Sequence, residues 1–126
     1  MMLDKIIEPG SLKREADGIS IGLRLPWYRA LPLSTIEIDQ VRIDGIPIES
    51  ERMTLAVDGS QWLVQDLQNI TDRSWFVTDT ARLSISGLDF KTASNHEVEV
   101  TISLYPPYIK GLRRATRWAR EMEVQG

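Results

Sequence analysis

Apolar residues recur along this chain at every second position rather than every third or fourth, the spacing of strands with one buried face. Ile19, Ile21, Leu23 and Leu25 alternate with Ser20, Gly22 and Arg24. Ile36 and Ile38 share one parity and Val41 and Ile43 the other. One face can stay buried through that run only if an extra residue sits near Asp39-Gln40, which predicts a β-bulge there. Asp44-Gly45, between Ile43 and Ile46, is a two-residue hairpin signal, and Pro47 confines the next short strand to an edge. Asp58-Gly59 repeats the signal between Met53-Leu55-Val57 and Trp62-Val64, with Ser60 lengthening the loop. Ala81, Leu83 and Ile85 mark a further strand. Val98, Val100, Ile102 and Leu104, alternating with Glu97, Glu99, Thr101 and Ser103, mark the longest.

About seven or eight short strands, with no helical period between them, predict an all-β fold: an antiparallel β-sandwich or a small barrel. Parallel βαβ topology is excluded by the missing crossovers. Loops fall at 26–34, 66–74 and 86–95. The chain changes character after Pro106-Pro107, which cannot continue a central strand. This divides it into a sandwich domain, 1–107, and a C-terminal arm, 108–126. Within the arm Leu112, Ala115, Ala119 and Met122 lie on one face of a helix, so the arm is expected to be helical or irregular. An isolated helix of about 12 residues is marginal in water and needs a surface to dock on.

The 126 residues suit one domain, and at 42% hydrophobic and 26% charged they can bury an ordinary core without staples. The net charge of −3 is unevenly spread. From Lys110 to Gly126 there are five basic and two acidic side chains, leaving ten basic and sixteen acidic on the rest. The acidic body opposes general binding to nucleic acid or anionic lipid. The start, Met1-Met2-Leu3-Asp4-Lys5, has no basic stretch leading into an apolar run, and no apolar window is long enough to span a bilayer, so a cytoplasmic home is expected. With no cysteine, thiolate metal sites, disulfides and cysteine nucleophiles are ruled out.

His96 is the one histidine, so no histidine pair can hold a metal. It shares parity with inward-facing Val98, and nothing in the sequence gives it a nucleophile and an orienting partner, so it reads as a partly buried turn residue. Glu97 and Glu99 share an outward face, where carboxylates keep a strand soluble unless one is shielded for acid–base work. No calcium-type acidic loop, phosphate loop or nucleophile elbow is present. Trp62 alternates within a strand and reads as core; Trp75 and Trp118 stay undecided. The stretch Leu25-Pro26-Trp27-Tyr28-Arg29-Ala30-Leu31-Pro32-Leu33 is the most informative. Its prolines restrict the backbone, and Trp, Tyr and Arg are the residue types enriched at binding hot spots, so Trp27, Tyr28 and Arg29 are expected to face a partner or substrate. The alternative is that Trp27 and Tyr28 cap the end of the core.

These residues resemble the small β subunit of bacterial C-glycoside deglycosidases. The resemblance rests on Met2-Leu3-Asp4-Lys5 with Ile7 and Glu8; Arg24-Leu25-Pro26-Trp27-Tyr28-Arg29 followed by Leu31-Pro32-Leu33-Ser34; Asp44-Gly45; Asp72-Arg73 with Trp75; and His96-Glu97-Val98-Glu99-Val100. The first Trp of the Leu-Pro-aromatic-Tyr-Arg segment stands where the family has a tyrosine. The resemblance implies a non-catalytic partner, with no cofactor on this chain. The larger α subunit would resemble a sugar-phosphate isomerase barrel and hold a divalent metal, expected to be manganese, with the acid–base residues. It also implies a carbon–carbon lyase acting on C-glycosides, flavonoid glycosides among them, already oxidised to a ketone at the sugar's 3-position. The substrate would lie at or near the subunit interface. A stand-alone carbohydrate-binding module, whose aromatic rings stack on sugar faces without a partner, is the second expectation.

Overall fold

The computed structural model describes residues 6–126. Eleven strands follow one another: β1 Lys13–Glu15, β2 Gly18–Arg24, β3 Leu31–Pro32, β4 Ile36–Ile43, β5 Ile46–Pro47, β6 Met53–Val57, β7 Ser60–Leu63, β8 Ser74–Trp75, β9 Thr80–Ser86, β10 Asn95–Leu104 and β11 Arg114–Glu123. They form a five-stranded sheet in the order β1-β2-β9-β6-β7, a four-stranded sheet in the order β11-β10-β4-β5, and a ribbon of β3 with β8. All the ladders between these strands are antiparallel. Neither large sheet closes on itself, so of the two expected architectures this is the sandwich. The residues of matched parity in both sheets meet in a single core: Ile19, Ile21, Leu23, Leu55, Leu83 and Ile85 from one side, Ile36, Val41, Val98, Val100 and Ile102 from the other.

The bulge lies where the parity change requires it. Gln40 stands opposite Thr101 and Ile38 opposite Ile102, which leaves Asp39 without a partner across the ladder and keeps Ile36, Ile38, Val41 and Ile43 all buried. Asp44-Gly45 and Asp58-Gly59 are the hairpin turns, each with two consecutive positive φ values: 54° and 81°, then 51° and 81°. In the second hairpin Ser60 already pairs with Val57, so the loop is the minimal two residues rather than the longer one expected. Trp75 is fully buried, its indole N–H donating to the Asp79 carbonyl at 3.1 Å. Trp62 is only half-buried, packing on the core with the Arg73 guanidinium 5.4 Å from its ring centre.

The arm corrects the expectation of a helical or irregular segment. Arg114–Glu123 is a ten-residue strand, paired along its whole length with β10. The helical spacing of Leu112, Ala115, Ala119 and Met122 is outweighed by a second pattern of period two, in which Thr116, Trp118, Arg120 and Met122 lie opposite Ile102, Val100, Val98 and His96. Arg120 in that inward row hides the alternation from a hydrophobicity count. A lone helix would make only its own hydrogen bonds, whereas the strand also completes the otherwise open ladder of β10, a non-local gain that periodicity does not register.

The phase of this ladder follows from its end. The Val124 N–H bonds the Ser94 carbonyl at 2.9 Å. Antiparallel alternation then turns the backbone groups of Thr116, Trp118, Arg120 and Met122 toward β10 and those of Ala115, Arg117, Ala119 and Glu121 outward. The Gln125 N–H, which points away from β10 to the Leu12 carbonyl at 2.8 Å, fits the same phase. Replacing Thr116 by Pro should therefore remove a ladder bond and lower the unfolding free energy by about 2 kcal/mol or more. Urea unfolding of the full chain checks this; a neutral effect would mean that the strand adds nothing to the folded state.

Candidate interaction site at one end of the sandwich

β2 and β10 both run out at proline. Pro26 follows Leu25 at the end of one, and Pro106-Pro107 follows Tyr105 at the end of the other. The Tyr105 N–H is still held by the Thr35 carbonyl at 2.9 Å, after which the chain makes two successive turns, with Ile109 N–H to the Pro106 carbonyl at 3.2 Å and Leu112 N–H to the Ile109 carbonyl at 3.3 Å. Gly111, at φ 78°, supplies the left-handed residue that the second turn needs. The two loops, 26–30 and 105–112, therefore meet at the same end of the molecule.

Tyr108 joins them. Its hydroxyl accepts a hydrogen bond from the Trp27 indole N–H, and the Arg29 guanidinium lies 4.9 Å from its ring centre. Trp27 and Tyr28 are tilted at 40° with ring centres 5.0 Å apart. The hydrogen bond to Tyr108 pushes the Tyr28 phenol above its ordinary range, since it stabilises the protonated form. The three residues singled out by sequence thus divide. Trp27, 7% exposed, turns into the core and supports the others, while Tyr28 and Arg29 face outward. Tyr28, Tyr105, Tyr108, Ile109 and Leu112 are five of the eight large apolar side chains exposed among the described residues. Arg29, Lys110, Arg113 and Arg114 make the same end cationic.

The bulge anchors the second loop. The Asp39 carboxylate accepts hydrogen bonds from the Ser103 hydroxyl and, at 3.3 Å, from the Arg113 guanidinium. Arg113 Nε–H donates to the Tyr105 hydroxyl at 3.0 Å, and that hydroxyl donates to Glu37 at 3.2 Å. The neighbouring Asp39 carboxyl, and then burial, raise Glu37 above the usual carboxylate range. Sequence reasoning found neither Tyr108 nor this network. Tyr108 lies 80 positions from Tyr28, and only the fold shows that they share a surface.

His96 gained partners that the sequence did not reveal. Its Nδ1 lies 2.6 Å from Asp44 Oδ2 and its Nε2 2.9 Å from the Ser94 hydroxyl oxygen, with Phe90 stacked on the ring at 3.8 Å. A hydroxyl, an imidazole and a carboxylate in series match the order of a nucleophile, a base and an orienting acid. The Ser94 hydroxyl, however, donates to the Lys91 carbonyl at 2.5 Å, and the Ser94 carbonyl is bonded by Val124, so the cluster fastens the 87–94 loop to the end of β11 and to the Asp44 turn. Glu99 is held below the usual range by the Arg117 hydrogen bond, 2.7 Å, and Arg42 lies at 3.9 Å, so Glu99 belongs to a charge ladder on the sheet's outer face. No group of three or more His, Cys, Asp or Glu suited to a metal ion occurs among the described residues. No helix there is long and apolar enough to cross a membrane.

The Asp44 carboxyl is held below its ordinary range, first by the His96 hydrogen bond and next by the Glu97 N–H at 2.9 Å, against a burial effect of opposite sign. A depressed folded value adds stability that is complete above the unfolded value of about 3.9 and is lost as pH falls through the folded one. Asp44→Asn should destabilise at about pH 5 and by an amount that shrinks below about pH 4, read from urea unfolding at each pH.

Comparison with known proteins agrees with the resemblance seen in the sequence. A family model described as C-glycoside deglycosidase beta subunit matches residues 4–108, which leaves β11 beyond the match. The 3'-dehydrocarminate deglycosidase beta subunit of Microbacterium sp is 39% identical over 129 residues, covering 99% of this chain and 97% of that protein. The C-glycoside deglycosidase beta subunit of Microbacterium trichothecenolyticum is 39% identical over 109 residues, 86% of this chain and 82% of its own. A counterpart from Arthrobacter globiformis is 32% identical over 109 residues, 86% of this chain and 83% of its own. Of the segments that carried the resemblance, Met2 to Lys5 lie outside the described residues; Ile7 and Glu8 lie ahead of β1, Ile7 bridging to Leu23, and the others fall on the end of β2 and the loop after it, the Asp44 turn, the ribbon and β10. The chain belongs to the C-glycoside deglycosidase beta subunit family.

Proposed function

We propose that this chain is the non-catalytic subunit of a two-subunit carbon–carbon lyase that splits the bond between sugar and aglycone in C-glycosides oxidised to a 3-ketone. It would dock through the end built from loops 26–30 and 105–112. The observation that carries the reading is the gathering of exposed Tyr28, Tyr105, Tyr108, Ile109 and Leu112 with Arg29 and Lys110 on that end, since an apolar patch of this kind marks an interaction site. The catalytic groups in this reading stand on a larger α chain with a sugar-phosphate isomerase-like barrel, which also holds the divalent metal, manganese. The 3-ketone acidifies the neighbouring C–H, a base removes that proton to give an enolate, and the aromatic carbon leaves as it is protonated. On this chain Tyr28 and Tyr108 supply contact area, Trp27 holds them in place, and Arg29 pairs with a carboxylate of the partner or orients substrate hydroxyls. The complex is placed in the cytoplasm, which the absence of cysteine suits.

Co-expression of the full chain with its α subunit, followed by size-exclusion chromatography, tests this. The two should co-elute, and Tyr28→Ala or Arg29→Ala should weaken assembly or turnover by about tenfold or more while the isolated chain keeps its unfolding midpoint. Separate migration at micromolar concentration overturns the proposal. Calorimetric binding of glycosides by this chain alone would instead favour the stand-alone carbohydrate-binding module.

A further inference from the structure

We infer that the free edge of β11 is a self-association surface, on which a second copy of this chain pairs antiparallel about a two-fold axis at Ala119. The inference is independent of the docking end proposed above. Among the described residues β11 is paired on one side only between Arg114 and Glu123, and over that span it has no proline, glycine or bulge to blunt the other. The outward backbone groups are those of Ala115, Arg117, Ala119 and Glu121, as the ladder phase fixes. A two-fold at Ala119 sets Ala119 opposite its own copy and Arg117 opposite the second copy's Glu121, and the reverse. These are the positions whose N–H and C=O are free, so backbone and side-chain registers coincide.

The charges single out this register. Glu121 lies across the ladder from Glu97, a like-charge pair, and next to the position that faces Glu99. Among the described residues neither Glu121 nor Arg120 takes part in an ion pair. The second copy brings Arg117 to Glu121 twice over on the outer face. On the other face it brings Arg120 opposite half-buried Trp118, again twice, an arrangement suited to cation–π contact. Shifting the register by two residues one way places Arg117 opposite Ala119 and Glu121 opposite Ala115; shifting it the other way moves Arg117 to Glu123 but sets Glu121 opposite Ala119 and Arg120 opposite its own copy, so the match on both faces is lost. The contact near Glu123 is limited by Leu12, whose carbonyl already takes the Gln125 N–H, so the pairing centres on 117–121. The two four-stranded sheets would then join as one continuous sheet of eight strands.

The test uses the full chain, alone and in complex with its α subunit. Sedimentation should give a concentration-dependent dimer of the isolated chain, and an even number of copies in the complex. Ala119→Pro removes an outward N–H without touching the ladder to β10, and Glu121→Arg sets like charges face to face twice; both should give a folded monomer by circular dichroism. The chain has no native cysteine, so a single introduced thiol reports geometry cleanly. Ala119→Cys should oxidise to a disulfide dimer, because opposed residues of a hydrogen-bonded pair lie about 5.5 Å apart at Cα. Ala115→Cys should not, its two copies being about 26 Å apart along the paired strands. A wild-type monomer at every concentration overturns the inference. So does a dimer that survives both substitutions, or one that cross-links equally through either thiol.

Discussion

Strand β10 must be satisfied along both of its edges, and most of the architecture follows from that requirement. Its inward residues, Val98, Val100, Ile102 and Leu104, are fully buried, so an unpaired edge there would leave backbone groups beside a dry core. β4 serves one edge and β11 the other. The bulge at Asp39 allows β4 to change phase halfway along the ladder and still bury both of its apolar pairs. It also leaves Asp39 on the outer face, free to hold Ser103 and Arg113. Core packing and the placement of the second interaction loop are thus settled at one residue.

The two turns of left-handed backbone work in the same direction. Asp44 and Asp58, each followed by glycine, reverse the chain in two residues, so that β5 and β7 stay short edge strands of their sheets. Asp44 does more than turn the chain. Its second oxygen accepts the Glu97 N–H while the first meets His96, so a hairpin turn of β4 is tied to the start of β10.

What was legible in the sequence depended on local rules. The alternation over β2, β4, β9 and β10, the bulge and both hairpins were visible because side-chain period and turn chemistry are properties of neighbouring residues. β11 was not, since Arg120 occupies an inward slot and its strand state is decided by the waiting edge of β10. β1, β3 and β8 were too short to carry a period. At the interaction end, the Pro-flanked Trp27-Tyr28-Arg29 could be singled out by residue type, but not the fact that Trp27 turns inward. Tyr108, the partner all three share, carries no local signal at all. His96 was read as a turn residue ahead of the longest strand, whereas it is the second residue of β10 and pairs with Met122, and its partner Asp44 lies 52 positions away across a tertiary contact.

The contact between Trp27 and Tyr108 spans 81 positions of sequence. The surface it holds together therefore has no counterpart in the unfolded chain, where the two loops are separated by nearly the whole sandwich. Anything that binds there binds only the native state, and adds its free energy of binding to the stability of the fold. Docking at this end is in effect an inspection: a chain that has not closed its sheets has nothing to offer, and one that has is held closed by what it captures.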